Sequence, residues 1–235
     1  MYIETTYSAL DYPGCMSLDI FFYGCDLRCK YCHNPELLQY HNITNLETLF
    51  KMIDENHDFF DAIVFTGGES LLHNQTILKI IKYTKKYNLR YKLDTNGLHP
   101  RRLRTIIKYL DYVALDVKAP LDKYYKITNR VPAYTCNKIL ETMRIIQKHG
   151  VFLECRTTYT SRLLSPEDVG EIMKSITCDQ YTLQQYRNDV VYDVSIINAP
   201  SPNPYELEQI LRKYNKDKKY TTYTKTSQLG VKKIL

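Results

Sequence analysis

Long apolar runs are absent from this sequence of 235 residues. A membrane-spanning helix needs about 20 consecutive apolar residues, and no stretch approaches that length. The first residues, MYIETTYSALDYPG, also lack the basic start and the apolar core of a signal peptide. The cysteine count is odd, at seven, which argues against a secreted scaffold built on disulfides. We therefore expect a cytoplasmic protein without a membrane partner.

Linkers, low-complexity segments and repeats of fixed period are absent as well. A chain of this length can form one large hydrophobic core. Its content of 44% apolar and 25% charged residues is ordinary for a globular protein. We predict a single domain over residues 1–235, with a core at about 5–190 and a C-terminal helix and tail at 191–235.

Glycine is scarce, with eight residues in the whole chain. A chain that uses little glycine keeps it where the backbone needs a positive φ or a close approach. Five of the eight glycines lie in four short loops, and these loops are therefore candidates for a functional site: Gly14, Gly24, Gly67, Gly68 and Gly97.

The formal net charge is modest, at +6. Basic residues gather at positions 101–108 and 212–219. Such runs are typical of solvated helix faces, and docking of an acidic protein such as an electron donor is the second interpretation. No nucleic-acid-binding motif accompanies the charge, so we expect no nucleic-acid partner.

Short apolar runs alternate with helix-like stretches along the chain. Helix starts are indicated at Thr44, Asn74, Ser165 and Asn203, and Gly150 is placed as a C-terminal cap. This alternation predicts an α/β fold with a parallel sheet and helices outside, either a partial barrel of six units or an open sheet. The predicted strands are Leu18–Tyr23, Ala62–Thr66, Tyr91–Asp94, Tyr112–Val117, Phe152–Tyr159 and Tyr181–Gln185.

Three cysteines lie in one polar loop, GCDLRCKYCHNP: Cys25, Cys29 and Cys32. A structural zinc site uses four ligands, and a 4Fe–4S cubane usually takes four thiolates, one on each iron. Three thiolates would leave one iron open to a substrate. The spacing therefore predicts a metal centre with an open position, and zinc with His33 as fourth ligand is the alternative. The remaining cysteines are predicted to be packing residues: Cys15, Cys136, Cys155 and Cys178.

Polar segments follow the predicted strands, where functional residues of parallel α/β folds gather. Each segment alone is a weak signal, because Gly-Gly and Asn-Gly also mark ordinary turns. Their common placement predicts one site at one edge of the sheet. The segments are TGGE at 66–69, DTNG at 94–97, DVK at 116–118, RTT at 156–158 and QQYR at 184–187.

The cysteine loop with the following Gly-Gly-Glu resembles the radical S-adenosylmethionine (SAM) enzymes. With DYPG, CHNP, LDTNG and YVALDVKAP, the chain is more closely similar to the glycyl-radical-enzyme activases over roughly residues 5–190. The activases of anaerobic ribonucleoside-triphosphate reductase match best, and those of pyruvate formate-lyase come second. Ser70 stands where the family usually has proline. No second cysteine cluster is present, so we expect no auxiliary iron–sulfur centre.

This resemblance implies an incomplete (β/α)6 barrel whose Cys25, Cys29 and Cys32 hold a 4Fe–4S cluster. It implies a radical SAM oxidoreductase that cleaves SAM to methionine and a 5′-deoxyadenosyl radical and then generates a glycyl radical on a partner enzyme. A flavodoxin-like protein would supply the electron. The rival interpretations are a radical SAM enzyme acting on a small molecule and a non-catalytic iron–sulfur electron-transfer module.

The resemblance also implies roles for single residues. Gly67, Gly68 and Glu69 would meet the methionine amino group of SAM. Asp94, Asp116 and Lys118 would help to hold its ribose, amino and carboxylate ends.

Tyr31 and His33 would lie beside the adenine, and Arg156 would be a further cofactor contact. Asp94, Thr95 and Asp116 are candidates for a monovalent cation. Each residue also has an ordinary interpretation: the acids as loop caps, Arg156 as an ion-pair partner, and Tyr31 and His33 as packing or structural residues.

Overall fold

The computed structural model describes residues 3–38, 45–217 and 219–235. One sheet contains nine strands in the order of the chain: β1 (Ile3–Ser8), β2 (Ser17–Phe22), β3 (Ala62–Gly67), β4 (Arg90–Thr95), β5 (Tyr112–Asp116), β6 (Phe152–Tyr159), β7 (Gln180–Gln185), β8 (Thr221–Thr226) and β9 (Gly230–Lys233). The α-helices are α1 (Leu46–Asn56), α2 (Asn74–Thr84), α3 (Pro100–Leu103), α4 (Pro132–Lys148), α5 (Pro166–Ser175) and α6 (Pro204–Tyr214).

The sheet is parallel from β2 to β8, with β1 and β9 added antiparallel at its two ends. The end strands do not pair, so the sheet stays open. The sheet is nevertheless curled, as an ion pair shows: Asp11, in the loop before β2, lies 3.2 Å from Lys225 of β8. The predicted α/β fold of partial-barrel type is confirmed.

All six predicted strands are present, and the structure adds three. β8 is a seventh parallel strand beside β7, and β9 pairs with β8, so the part of the chain after residue 190 contributes two strands to the same sheet. None of the described helices is long and apolar enough to cross a membrane.

Local signals place the helix ends. The hydroxyl of Ser165 accepts from the N–H of Asp168, and the N–H of Ser165 donates to the carboxylate of Asp168, which confirms the predicted start of α5. Asn203 caps α6 through the N–H of Glu206. Gly150 follows α4 with φ of +66°, as the predicted C-terminal cap requires. The predicted cap Thr44 lies outside the described residues; α1 is capped by the adjoining Asn45.

Strand alternation divides the side chains between two environments. Ile63 and Phe65 belong to the large core between sheet and helices, whereas Val64 belongs to a smaller cluster on the inner side with Tyr12 and Tyr112. The register continues this inner side through Val64, Lys92 and Tyr112. On the same side, Asp94 lies two residues beyond Lys92, and Asp116, which pairs with Arg156, lies four residues beyond Tyr112. Pairing alone therefore brings three charged side chains to the same end of the sheet.

Candidate active site

A cavity of about 220 Å³ opens at the carboxyl ends of β2–β6. The three clustered cysteines and residues from four strand ends line it together. Its lining consists of Cys25, Leu27, Cys29, Tyr31, Cys32, His33, Asn34, Leu38, Thr66, Gly67, Gly68, Asp94, Thr95, Asn96, Asp116, Lys118, Arg156 and Thr158. Apart from Glu69, the residues expected to bind the cluster or SAM therefore lie around a single space. The QQYR segment at 184–187, which was predicted to belong to the same site, does not line it: Gln185 bonds instead to Pro202 and Ser227.

Internal hydrogen bonds shape the cysteine loop. Arg28 donates to the carbonyl oxygens of Cys25 at 2.7 Å and of Leu27 at 2.9 Å. The N–H of Cys32 donates to the carbonyl of Cys29 at 3.0 Å. These bonds leave all three thiols on the side of the loop that faces the cavity.

The number and kind of ligands in the cysteine loop suit an iron–sulfur cluster. In the described part of the chain, no three Cys, His, Asp or Glu side chains converge closely enough to hold one metal ion. A cubane binds each thiolate to a different iron, and three thiols line the cavity. Nδ1 of His33, the fourth ligand of the zinc alternative, lies 2.9 Å from the carbonyl oxygen of Val190, and this bond does not involve Nε2. The donor set therefore fits a 4Fe–4S cluster.

Burial makes the thiols poor acids on their own. It raises the pKa of Cys25 to about 12, with a contribution from the charge of Glu69, and the pKa of Cys29 to about 11, against the opposing effect of Lys118. Ligation requires thiolates. A cationic group must therefore stabilise them, and cluster irons would do so.

The Gly-Gly turn after β3 packs directly on the start of the cysteine loop. The N–H of Gly68 donates to the carbonyl of Phe22, and the N–H of Glu69 donates to that of Gly24, both at 2.8 Å. A Cβ atom on Gly68 would lie 2.3 Å from the carbonyl oxygen of Gly24. Only glycine allows this approach, so the turn helps to set the position of Cys25.

Glu69 lies behind the cavity wall. Its carboxylate is buried and accepts hydrogen bonds from the N–H of Leu71 at 3.1 Å, the hydroxyl of Thr95 at 2.8 Å and the N–H of Asn96 at 2.7 Å. Burial raises its pKa to about 6. In this arrangement Glu69 ties two site loops together, and its contact with SAM stays a prediction.

Four charged side chains form an alternating network along one wall. Arg156 bridges two carboxylates, with 3.0 Å from its Nε to Asp116 and 3.2 Å from its Nη1 to Asp94. Lys118 Nζ lies 3.0 Å from the second oxygen of Asp116. Burial opposes ionisation of Asp116, but Lys118 and Arg156 outweigh it and hold its pKa at about 2. The wall therefore carries both signs of charge.

Asp94 retains free hydrogen-bonding capacity at this wall. Its Oδ1 atom is buried and, among the described residues, accepts no hydrogen bond; Lys92 Nζ forms an ion pair with it at the longer distance of 3.7 Å. Buried polar atoms are normally satisfied, so an orphaned carboxylate oxygen in a cavity wall marks a place for a donor group of a ligand. Asp94, Thr95 and Asp116 all line the cavity, and the monovalent cation there stays a prediction.

Removal of the bridging cation is expected to destabilise the fold. Arg156→Met would leave two partly buried carboxylates, whose side chains are 16% and 31% exposed, with one cation fewer. The loss should cost about 1–3 kcal/mol of unfolding free energy, between the values for exposed and buried pairs. The low pKa of Asp116 contributes its full stabilisation above about pH 3.8 and loses it as the pH falls towards 2, so the difference should shrink over that range. Urea unfolding over that pH range measures it.

Arg187→Met is the matched control. Arg187 also pairs with a carboxylate, that of Asp189, but its side chain is 59% exposed against 11% for Arg156. Exposed pairs contribute little to stability, so the control should unfold like the wild type. Equal stability of the two variants would contradict the structural importance of the bridge.

Several cavity residues were not predicted from the sequence. Four of them lie inside the sequence motifs described above: Thr66, Asn96, Thr158 and, in CHNP, Asn34. Their place in these motifs was the sequence signal that could have identified them. Asn96 donates to Asp26 at 3.0 Å and lies 4.0 Å from the sulfur of Cys25. The apolar lining residues carried no such signal, because they resemble core residues: Leu27 and Leu38.

Comparison with known proteins places the chain in a family. The model of the radical SAM superfamily matches residues 20–177. SuiB of Streptococcus suis bound to S-adenosylmethionine superimposes with a TM-score of 0.66 at 14% identity over 88% of this chain and 48% of that one. TYW1 with a lysine–pyruvate adduct bound gives a TM-score of 0.65 at 13% identity, over 91% of this chain and 77% of that one. These two likenesses show the fold.

The relatives found by sequence identify the family more narrowly than the structural likenesses do. A protein of Methanocaldococcus jannaschii, named among the glycyl-radical enzyme activating enzymes, is 38% identical over 209 residues, which cover 86% of each chain. The pyruvate formate-lyase-activating enzyme of Clostridium pasteurianum is 35% identical over 123 residues, 50% of this chain and 51% of its own. The match thus spans about half the length of SuiB and of the clostridial enzyme.

The radical SAM family uses a 4Fe–4S cluster together with SAM. The cysteine loop, the charged wall and the superimposed fold agree with that pair of cofactors. This chain belongs to the radical SAM superfamily and, within it, to the glycyl-radical enzyme activating enzymes.

Proposed function

We propose that this chain cleaves SAM reductively and generates a glycyl radical on anaerobic ribonucleoside-triphosphate reductase. The observation that carries the proposal is the convergence of three thiols and a wall of mixed charge on one cavity. Cys25, Cys29 and Cys32 would hold a 4Fe–4S cluster. When bound, the cluster supplies the electron that cleaves SAM to methionine and a 5′-deoxyadenosyl radical.

The charges of the cavity wall complement those of SAM. SAM has a carboxylate, an ammonium and a sulfonium, and each is stabilised by a charge of opposite sign. Lys118 and Arg156 are cations for the carboxylate, and Asp94, whose Oδ1 accepts no hydrogen bond from the described residues, is an acceptor for the ammonium or the ribose. The backbone of Gly67 and Gly68 borders the same space. Tyr31 and His33, on the cysteine loop, line the same cavity, and the adenine would bind beside them.

The identity of the partner rests on motif resemblance. DYPG, CHNP and LDTNG match the activases of anaerobic ribonucleotide reductase best. The likeness to a pyruvate formate-lyase-activating enzyme supports a second candidate, in which the target glycine belongs to a formate-lyase-type enzyme. In both cases the glycine must reach the cavity, and the wide open sheet would admit a loop of a large protein.

Electron paramagnetic resonance tests the function and the partner together. The cluster-loaded protein is reduced with dithionite under anaerobic conditions and mixed with SAM and the ribonucleotide reductase from the same cell; a parallel mixture contains pyruvate formate-lyase. We expect a glycyl-radical signal with the reductase. A signal with the formate-lyase alone would reassign the partner. Failure to release 5′-deoxyadenosine in either mixture would refute SAM cleavage itself.

A further inference from the structure

Exposed apolar side chains are concentrated beside the cysteine loop. Of the fourteen large apolar side chains that are exposed in the described part of the chain, seven lie in the segments 125–134 and 190–197. These two segments contain only eighteen residues, so the concentration is far above an even distribution. A cluster of exposed apolar residues is a common mark of a protein-binding surface.

Both segments are attached to the loop that carries the cluster ligands. The N–H of Lys30 donates to the carbonyl of Ile127, and the N–H of Asp193 donates to the carbonyl of Lys30, both at 3.0 Å. Lys30 thus lies between the two segments and also between Cys29 and Cys32 in the chain. We call this surface, consisting of Lys30, Tyr125, Val131, Tyr192 and Val194, the loop face.

The residues of the loop face lie outside the cavity. None of them is among those that line it. A glycine that loses hydrogen to the SAM-derived radical must enter that cavity, whereas an electron donor needs only to come close to the cluster. A surface that adjoins the ligand loop without lining the cavity therefore favours an electron donor over the substrate enzyme.

The charge of this region favours an acidic partner. Arg28 and Arg130 donate to backbone carbonyl oxygens of the cysteine loop, not to carboxylates, so their charges are not neutralised by these contacts. Lys30 adds a third cation, part of whose charge is offset by the nearby carboxylate of Asp193. Charge complementarity of this kind accelerates association and orients the partner.

We propose that the loop face is the docking surface for an acidic one-electron donor protein. This inference rests on the proposed function, because it assumes the cluster at Cys25, Cys29 and Cys32. One electron passes from the reduced donor to the oxidised cluster, so the donor is oxidised and the cluster reduced by one electron, and no bond is formed or broken. Apolar contacts at Tyr192 and Val194 hold the donor, and the surrounding cations attract it.

Stopped-flow reduction of the cluster tests this assignment. The cluster-loaded full chain is mixed with a reduced, acidic flavodoxin or, separately, with dithionite, and bleaching of the cluster absorbance is followed. Val194→Asp introduces a negative charge at a side chain that is 75% exposed. We expect flavodoxin-driven reduction to slow about tenfold, as for loss of a central interface contact, while reduction by dithionite stays within about twofold.

Leu229→Asp is the control, because Leu229 is 57% exposed in the turn between β8 and β9 and lies outside the loop face. It should leave both rates unchanged. Wild-type reduction by flavodoxin should slow with added salt, since exposed charges are screened. An unchanged flavodoxin rate in Val194→Asp would overturn the proposal. If the glycyl-radical yield after dithionite reduction were lower in that case, the loop face would instead bind the substrate enzyme.

The readout separates this inference from the proposed function. Cluster reduction is measured without SAM and without a glycyl radical enzyme. If flavodoxin reduces the wild type and not Val194→Asp, the docking surface is supported even where SAM is not cleaved. Failure of SAM cleavage then counts against the proposed function alone.

Discussion

Cys29→Ser is expected to abolish both cluster assembly and SAM cleavage. Cys29 is the central cysteine of the loop and is buried. Like Lys118, whose charge acts on it, Cys29 lines the cavity. With one thiolate removed, two ligands would have to hold a cluster that normally takes at least three. Serine oxygen is a much poorer ligand for an iron–sulfur cluster than a thiolate, because such clusters select soft sulfur ligands. Iron and sulfide per chain after anaerobic reconstitution, together with 5′-deoxyadenosine released under dithionite, measure the effect.

Cys136→Ser is the matched control for general effects of cysteine replacement. Cys136 lies in α4 and outside the cavity lining. It should keep wild-type iron content and wild-type SAM cleavage. If Cys29→Ser retained full iron and sulfide, or if both variants lost the cluster to the same degree, the assignment of Cys29 as a ligand would be wrong.

The strands that sequence patterns reveal are those buried by apolar residues. The six strands predicted from apolar runs are all present, with ends within one or two residues. β8 was missed because its sequence, TTYTKT, has no apolar run. Its threonines Thr222, Thr224 and Thr226 are nevertheless buried on one face. β1, with the sequence IETTYS, is similarly polar and lies at an exposed edge. A strand stabilised by neighbouring strands needs less apolar sequence than its burial suggests.

The candidate site, like the strands, could be predicted from the sequence only in part. Because parallel strands end together, the position of Asp94, Asp116 and Arg156 at one edge follows from their place in the sequence. The direction of each side chain does not. Glu69 follows a recognised Gly-Gly pair, yet its carboxylate turns inward to Thr95 and Asn96. Arg156 was expected either as a cofactor contact or as an ion-pair partner. The structure shows the ion pairs, in which it bridges two carboxylates, and the cofactor contact stays a prediction.

Gly68→Ala is expected to displace the cysteine loop without removing any ligand. Gly68 does not have a positive φ, so alanine is compatible with its backbone conformation, and the effect comes from contact alone. The new Cβ would meet the carbonyl oxygen of Gly24 at 2.3 Å. That oxygen accepts from the N–H of Glu69 at 2.8 Å, so the two backbone segments can separate only by losing this bond. Overpacking of this kind costs about 1–3 kcal/mol.

Cluster content and SAM cleavage should both fall in Gly68→Ala, the latter by more than about tenfold, because a displacement of about 1 Å in a site is enough for a large loss of rate. Gly170→Ala in α5 is the control: its Cβ would meet the ring of Tyr214 at 2.4 Å, a comparably close contact outside the cavity lining, and alanine favours the helix. This control should load a full cluster. Wild-type iron content and SAM affinity in Gly68→Ala would show that the contact with Gly24 does not position the loop.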